Sequence, residues 1–185
     1  LGDRRSLSPE RPMTKFSRGN DMNMATDLSY YGSPSRTVMS RISDPHFAER
    51  VRASFDRQNA MRLIQATLPV VEHGLTEIHL PHWQGVEQQH GFVHGGVVGM
   101  IADSAAGYAA MTMVPAGGSV LTVEFKLNLM APADGEKLIA RGQVVRAGHT
   151  LIVTKAEVFA IKDDKETLCA LMQQTIIVMH GKVEK

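Results

Sequence analysis

The chain has 185 residues, with Lys+Arg 20 against Asp+Glu 19 and a net charge of +1. That is one domain's length, and its charge gives no field to draw it onto nucleic acid or an anionic membrane. A hydrophobic fraction of 43% gives a packed core, the single cysteine Cys169 excludes an internal disulfide and a cysteine zinc site, and no apolar run reaches the roughly 18 residues of a spanning helix. A reducing, cytoplasmic setting with no membrane partner is the expectation.

Residues 1–44 carry Ser-Pro, Arg-Pro and Gly-Asn pairs and scattered cations (Arg4, Arg5, Arg11, Lys15, Arg18) without apolar periodicity, and read as a flexible N-terminal tail. Residues 45–185 read as one folded domain. After Asp44-Pro45, the apolar residues Phe47, Val51, Phe55 and Met61 fall on one side of a surface helix that ends before Pro69. Residues 70–80 read as a first strand closed by Pro81. Residues 84–114 follow, and their second part is apolar or small nearly all round, which predicts a buried helix at the centre of the fold.

Four strand-like runs come next, over 119–130, 136–147, 150–162 and 167–179, and their short links predict an antiparallel meander. In the first run Leu121, Val123, Phe125, Leu127 and Leu129 alternate with Thr122, Glu124, Lys126 and Asn128, so the apolar set should be buried. The sum is an α+β domain with its long helix laid across an antiparallel sheet. Such a sheet leaves an edge or face exposed, so a dimer is expected.

One constellation carries chemistry. Advancing about 100° per residue along the central helix, Gly96, Gly99, Ala106, Gly107 and Ala110 cluster around Asp103, and Val97, Ile101, Ala105, Tyr108 and Thr112 lie opposite. The carboxylate therefore stands on a stripe almost bare of side chains, where it is either a structural aspartate bonded to a neighbouring strand or subunit, or a general base. At the helix start, His94-Gly95-Gly96 offers free N–H groups and the positive end of the dipole to an anion or a polarised carbonyl. A polarising site and a carboxylate on one helix suit acyl-group hydrolysis.

The run Gln88-Gln89-His90-Gly91-Phe92-Val93-His94-Gly95-Gly96, with Asp103 seven residues on, resembles the hotdog-fold acyl-CoA thioesterases of the phenylacetate-degradation type. The 121–138 segment, with Pro132 and the turn after it, is similar to the strand that follows the central helix in that family. The resemblance spans about 45–179 and implies a hotdog fold in which the antiparallel sheet wraps a long central helix. It implies an acyl-CoA thioester hydrolase working without a cofactor. Asp103 would activate water or attack the thioester carbonyl, Gly95 would supply the backbone donor to the carbonyl oxygen, and His94 would orient the substrate or support that donor. Gln88 takes a place that is commonly Asn in relatives, and Thr122 matches the small hydroxyl that positions water. The sites would form between the subunits of a homodimer or of a dimer-of-dimers tetramer. Gly96 would lie against the substrate, and Arg146, Gly148 and His149 occupy the turn where relatives run CoA.

Other residues carry less. Glu124 is a rival carboxylate on an alternating, solvated strand face. His79, His82, His90 and His94 show no metal-binding spacing, so no metal is expected. There is no GxSxG elbow to make Ser104 a nucleophile, and Cys169 reads as a packed thiol. The competing functional reading is a non-catalytic acyl-CoA binding or sensing module of the same fold. A hotdog hydratase fits His94 and Asp103 poorly.

Overall fold

The computed structural model describes residues 44–181. The expected tail lies outside the described residues except for Asp44, which is buried. The helix after it forms in two pieces, α1 (Phe47–Arg57) and α2 (Asn59–Leu63), parted at Gln58, whose extended backbone (φ −78°, ψ 90°) interrupts the helical hydrogen bonding. Val51, Phe55 and Met61 are buried as their spacing predicts. Arg50 on α1 reaches across to donate to the carbonyls of Met111 (3.2 Å) and Val114 (2.6 Å), and its Nε donates to Asp44 at 2.8 Å. A cation thus caps the negative end of the central helix.

The single strand expected over 70–80 is instead a hairpin, β1 (Thr67–Glu72) and β2 (Leu75–Pro81). The turn passes through His73 and Gly74, and Gly74 sits at φ +79°, a conformation open to glycine. The central helix, α3 (Gly95–Met111), has the buried position predicted for it, with Val98, Ile101, Ala102, Ala105, Ala106, Ala109 and Ala110 almost wholly covered. Residues 84–94 before it are a short 3-10 turn, Gln84–Val86, and a loop.

The remaining strands are β3 (Ser119–Leu129), β4 (Lys137–Ala147), β5 (Leu151–Lys162) and β6 (Lys165–Met179). They join the hairpin in one antiparallel sheet ordered β1-β2-β4-β5-β6-β3. The meander holds for β4, β5 and β6, but β3 pairs with β6 and not with β4, so the link after β3 crosses the ends of two strands. Three strand spacings are only about 14 Å, within reach of the seven residues from 130 to 136, and the link is tied down on the way by Ala131 N–H to Cys169 O (3.3 Å) and Glu136 N–H to Ile161 O (2.8 Å).

The sheet packs its inner face, including Ile78, Leu80, Leu138, Ile152, Met172 and Ile176, around α3. This is the α+β hotdog arrangement. Helix and sheet approach closely at Gly142 on β4: a Cβ there would lie 2.3 Å from the backbone carbonyl of Ala105. Thr76 on β2 donates to that same carbonyl at 2.6 Å, so α3 is seated on the sheet beside Asp103.

Strand β3 departs from the simple alternation. Pairing with β6 runs in register to Thr122↔Ile176 and resumes at Glu124↔Thr175, so Val123 is an extra residue, a β-bulge. The bulge turns Thr122 to the same side as Phe125, Leu127 and Leu129, toward α3, and leaves Glu124, Lys126 and Asn128 outward. Nor is the apolar set buried: Leu121, Val123, Phe125 and Leu129 are each about half exposed along this edge strand.

Candidate active site

Helix α3 is covered on most sides, and its open side is a line through Gly96, Met100, Asp103 and Gly107. Of the small residues that the sequence clusters around Asp103, Gly96 and Gly107 lie on this line, whereas Gly99, Ala106 and Ala110 are buried against the sheet. Asp103 looks from this line toward β3, where the bulge has brought Thr122. Thr122 Oγ1 donates to Asp103 Oδ1 at 2.8 Å. A second strand reaches the same oxygen: the side-chain Nε2 of Gln174, on β6, donates to Asp103 Oδ1 and also to Thr122 Oγ1 at 2.7 Å. Thr154 on β5 donates to Gln174 Oε1 at 3.3 Å.

A structural aspartate would also bond to strands in this way. What distinguishes this one is that both bonds fall on Oδ1, while Oδ2 receives no hydrogen bond from the described residues and the residue lines an open cleft. That cleft, about 450 Å³, runs from Asp103 and Thr122 past Ser104 and Gly107 to Tyr108 and Met111. Gln58, at the break between α1 and α2, forms part of its wall and accepts a bond from Ser104 Oγ at 3.3 Å. Ser104 is otherwise buried, and among the described residues its hydroxyl bonds to the Gln58 amide and not to a base.

The helix start forms a separate place. His94 is the N-cap residue, and its Nδ1 accepts from Gly96 N–H at 2.9 Å. The Gly96 donor is thereby occupied, and the imidazole is tied to the first turn. Among the described residues no acceptor takes the Gly95 N–H, which stands at the positive end of a 17-residue helix. Gly95 lines a second cleft of about 170 Å³ with Gln88, Phe92, Leu129, Pro132 and Cys169. Gln88 holds the loop beside it, accepting His90 N–H on its side-chain oxygen at 2.7 Å. Cys169 is buried at the floor, its Sγ directed to Val158 O, and burial pushes its thiol up.

The structure therefore brings together Asp103 and Thr122, and separately Gln88, His94, Gly95 and Gly96. It does not join the two groups within one chain. Asp103 lies eight residues beyond Gly95 on a straight helix, about 12 Å along the axis, and the two line different clefts. Arg146, Gly148 and His149 lie at the β4–β5 turn, near where β3 begins and far from Gly95. His149 stacks on His180 with ring centroids 4.4 Å apart, and Gly148 N–H closes the turn on Leu151 O at 2.9 Å. Glu124 faces outward and accepts from Thr175 Oγ1 at 2.8 Å, away from Asp103, so the face it was expected to share with Thr122 does not exist. Among the described residues no group of three or more His, Cys, Asp or Glu could hold a metal ion, and no helix is long and apolar enough to cross a membrane.

Gln174 is the site residue that sequence reasoning missed. A glutamine within a strand carries no motif. Its one signal is position, two residues from Met172 and two from Ile176 on an inward-facing apolar row.

Comparison with known proteins gives three kinds of likeness. The family model of the thioesterase superfamily matches residues 90–167, from the loop before α3 into β6. A solved thioesterase family protein from Silicibacter pomeroyi is 40% identical, over 73% of this chain and 99% of that one, with a TM-score of 0.72. Two more distant structures share the fold. One is the PaaI protein from the phenylacetic acid degradation operon of Escherichia coli, 18% identical over 78% of this chain and 100% of that one, with a TM-score of 0.67. The other is a Bacillus halodurans protein solved with CoA, 24% identical over 72% of this chain and 85% of that one, with a TM-score of 0.58.

Proposed function

Because the chain belongs to the thioesterase superfamily, we propose that it is an acyl-CoA thioesterase of the phenylacetate-degradation type, hydrolysing an acyl- or aryl-CoA to the free acid and CoA. The observation that carries this reading is the Asp103 carboxylate, held through one oxygen by Thr122 and Gln174, while the other takes no hydrogen bond from the described residues and the side chain lines a cleft. The CoA in the Bacillus halodurans structure supports the choice of thioester.

The thioester carbonyl oxygen accepts the Gly95 N–H, and the dipole of α3 adds to its polarisation. Asp103 Oδ2 takes a proton from water as the water oxygen bonds to the carbonyl carbon. The tetrahedral oxyanion rests on Gly95 N–H. As it collapses, the C–S bond breaks and the proton on Asp103 passes to the departing CoA thiolate. His94 keeps the Gly95–Gly96 turn in place, Gln88 holds the loop beside it, and Thr122 positions the water.

Since one carbonyl cannot span about 12 Å of helix, the acid and hydroxyl come from one chain and the His94-Gly95-Gly96 end from a partner, in a homodimer or a dimer of such dimers. The half-exposed apolar edge of β3 supports that pairing. Arg146, with Gly148 and His149 shaping the turn, meets the CoA phosphates. The lone, buried, reduced Cys169 suits a cytoplasmic enzyme.

The test is release of CoA thiol from short, medium, long and aryl acyl-CoAs by the wild-type chain and by Asp103→Asn. The expected result is turnover that falls by about 10² or more in the variant with binding retained. A loss under tenfold removes Asp103 from its role. Acyl-CoA that raises the melting temperature without any release points to a binding module instead.

A further inference from the structure

Gln174 is fully buried on the inward face of β6, where an amide is costly unless its polar atoms are engaged. Both are. Its oxygen accepts from Thr154 on β5 (3.3 Å), and its nitrogen spends one proton on Asp103 Oδ1 and the other on Thr122 Oγ1 (2.7 Å). Asp103 decides which way the amide lies: an ionised carboxylate only accepts, so the NH2 group must face α3 and β3, and the oxygen is left toward β5, where the Thr154 hydroxyl donates to it.

We infer that Gln174 is a positioning residue for the hydrolysis, anchored from β5 by Thr154, that fixes which oxygen of Asp103 reacts and commits the Thr122 proton to the carboxylate. The inference rests on the reading of Asp103 as the activating carboxylate. A hydroxyl has one proton and two lone pairs. One lone pair of Thr122 accepts from Gln174, so its proton goes to Asp103 Oδ1 and its second lone pair is left to accept from water. Asp103 Oδ1 is filled by two donors, which leaves Oδ2 as the base. One water can then give one proton to Oδ2 and the other to Thr122, with its oxygen turned to the carbonyl carbon. The glutamine touches neither substrate nor water; it acts through the two groups that do.

The experiment compares kcat, KM and the pH profile of kcat/KM for the wild type, Gln174→Met, Gln174→Glu and Thr154→Val, on whichever acyl-CoA the wild type cleaves best. Melting curves and circular dichroism identify which variants are folded. Gln174→Met fills the same space without hydrogen bonds, and kcat should fall at least tenfold with KM within threefold. Gln174→Glu sets a second carboxylate against Asp103, so the pair titrates together and the acid limb of the profile should move up by a pH unit or more. Loss of packing alone would not produce that movement. Thr154→Val leaves the buried amide oxygen without its donor, loosens the hold on the NH2 group and should lower kcat about threefold to tenfold, and it carries the test if the Gln174 variants do not fold. A folded Gln174→Met with kcat within threefold of wild type, or a folded Gln174→Glu with its acid limb unmoved, overturns the inference while the thioesterase reading stands. If only Thr154→Val folds, kcat within twofold of wild type does the same. If the wild type releases CoA from no substrate, the thioesterase reading fails and the inference fails with it.

Discussion

Helix and sheet meet backbone to backbone at Gly142, and the smallest side chain that could be added there tests how closely the position of Asp103 depends on that seat. In Gly142→Ala the new methyl would lie 2.3 Å from the carbonyl carbon and oxygen of Ala105 and 2.5 Å from the nitrogen of Ala106, where ordinary contact begins near 3.4 Å. Neither partner is a flexible side chain, so the two backbones must part by about 1.1 Å. That movement also pulls the Ala105 carbonyl from Thr76, now 2.6 Å away. Overpacking of this kind costs about 2 kcal/mol, which for a domain of this size lowers the melting temperature by roughly 6 °C. Asp103 is two residues from the clash and rides on the same turn, so its 2.8 Å bond to Thr122 is displaced by a comparable amount. A misplacement near 1 Å lowers turnover by up to about 10². Thermal melts followed by circular dichroism, with thiol release measured well below the transition, check both numbers. A variant melting within 2 °C of wild type and turning over within threefold would show that α3 is not seated by this contact.

Two further predictions concern the frame. Arg50→Met strips the guanidinium from Asp44, leaving a buried carboxylate without its cation and the end of α3 without its cap; the expected loss is about 3 kcal/mol, read as a fall of roughly 10 °C in melting temperature. Burial alone would push the Asp44 carboxyl up, but the Arg50 hydrogen bond, the His46 N–H and the charge of Arg50 outweigh it and hold it below its ordinary value of 3.8. A carboxyl depressed by folding stabilises the fold above that ordinary value and loses its contribution as the pH falls through the folded one. The gap between wild type and Arg50→Met should therefore be full at pH 7 and narrow below about pH 4 in denaturant titrations, and a gap that widens in acid would reverse the assignment. Cys169 is buried and its thiol pushed up, so a disulfide reagent at pH 7 should leave the native chain unlabelled and label one thiol per chain once it is denatured. Rapid labelling of the native protein would contradict that burial.

The central helix was legible because its chemistry is written in one contiguous run: Gly96 and Gly107 flank Asp103 on the open side, and glycines mark the entrance, although Gly99, Ala106 and Ala110, read as part of the same stripe, are buried. Thr122 was found by its likeness to a family position, although plain alternation would have turned it away from the residues it faces. The bulge at Val123 reconciles the two. No side chain announces a bulge, which is set by pairing with β6. The same non-local cause hid the strand order, since a short link after β3 looks like a hairpin unless the sheet is known to curl around a helix. The β1–β2 turn was missed because its one glycine sits inside an otherwise continuous strand-like run. Gln174 was beyond reach for a related reason: its meaning comes from groups 20, 52 and 71 residues away.

Gly95 and Asp103 are borne on one rigid helix of 17 residues. In a two-fold pair of chains, each helix would then serve two reaction centres, lending its donor end to one and its acid to the other. Any slide of that rod along its axis displaces both contributions by the same vector. Tightening the grip on a carbonyl at one centre would therefore shift the carboxylate at the other, and in such a pair the two centres would trade geometry as the ends of a single lever do.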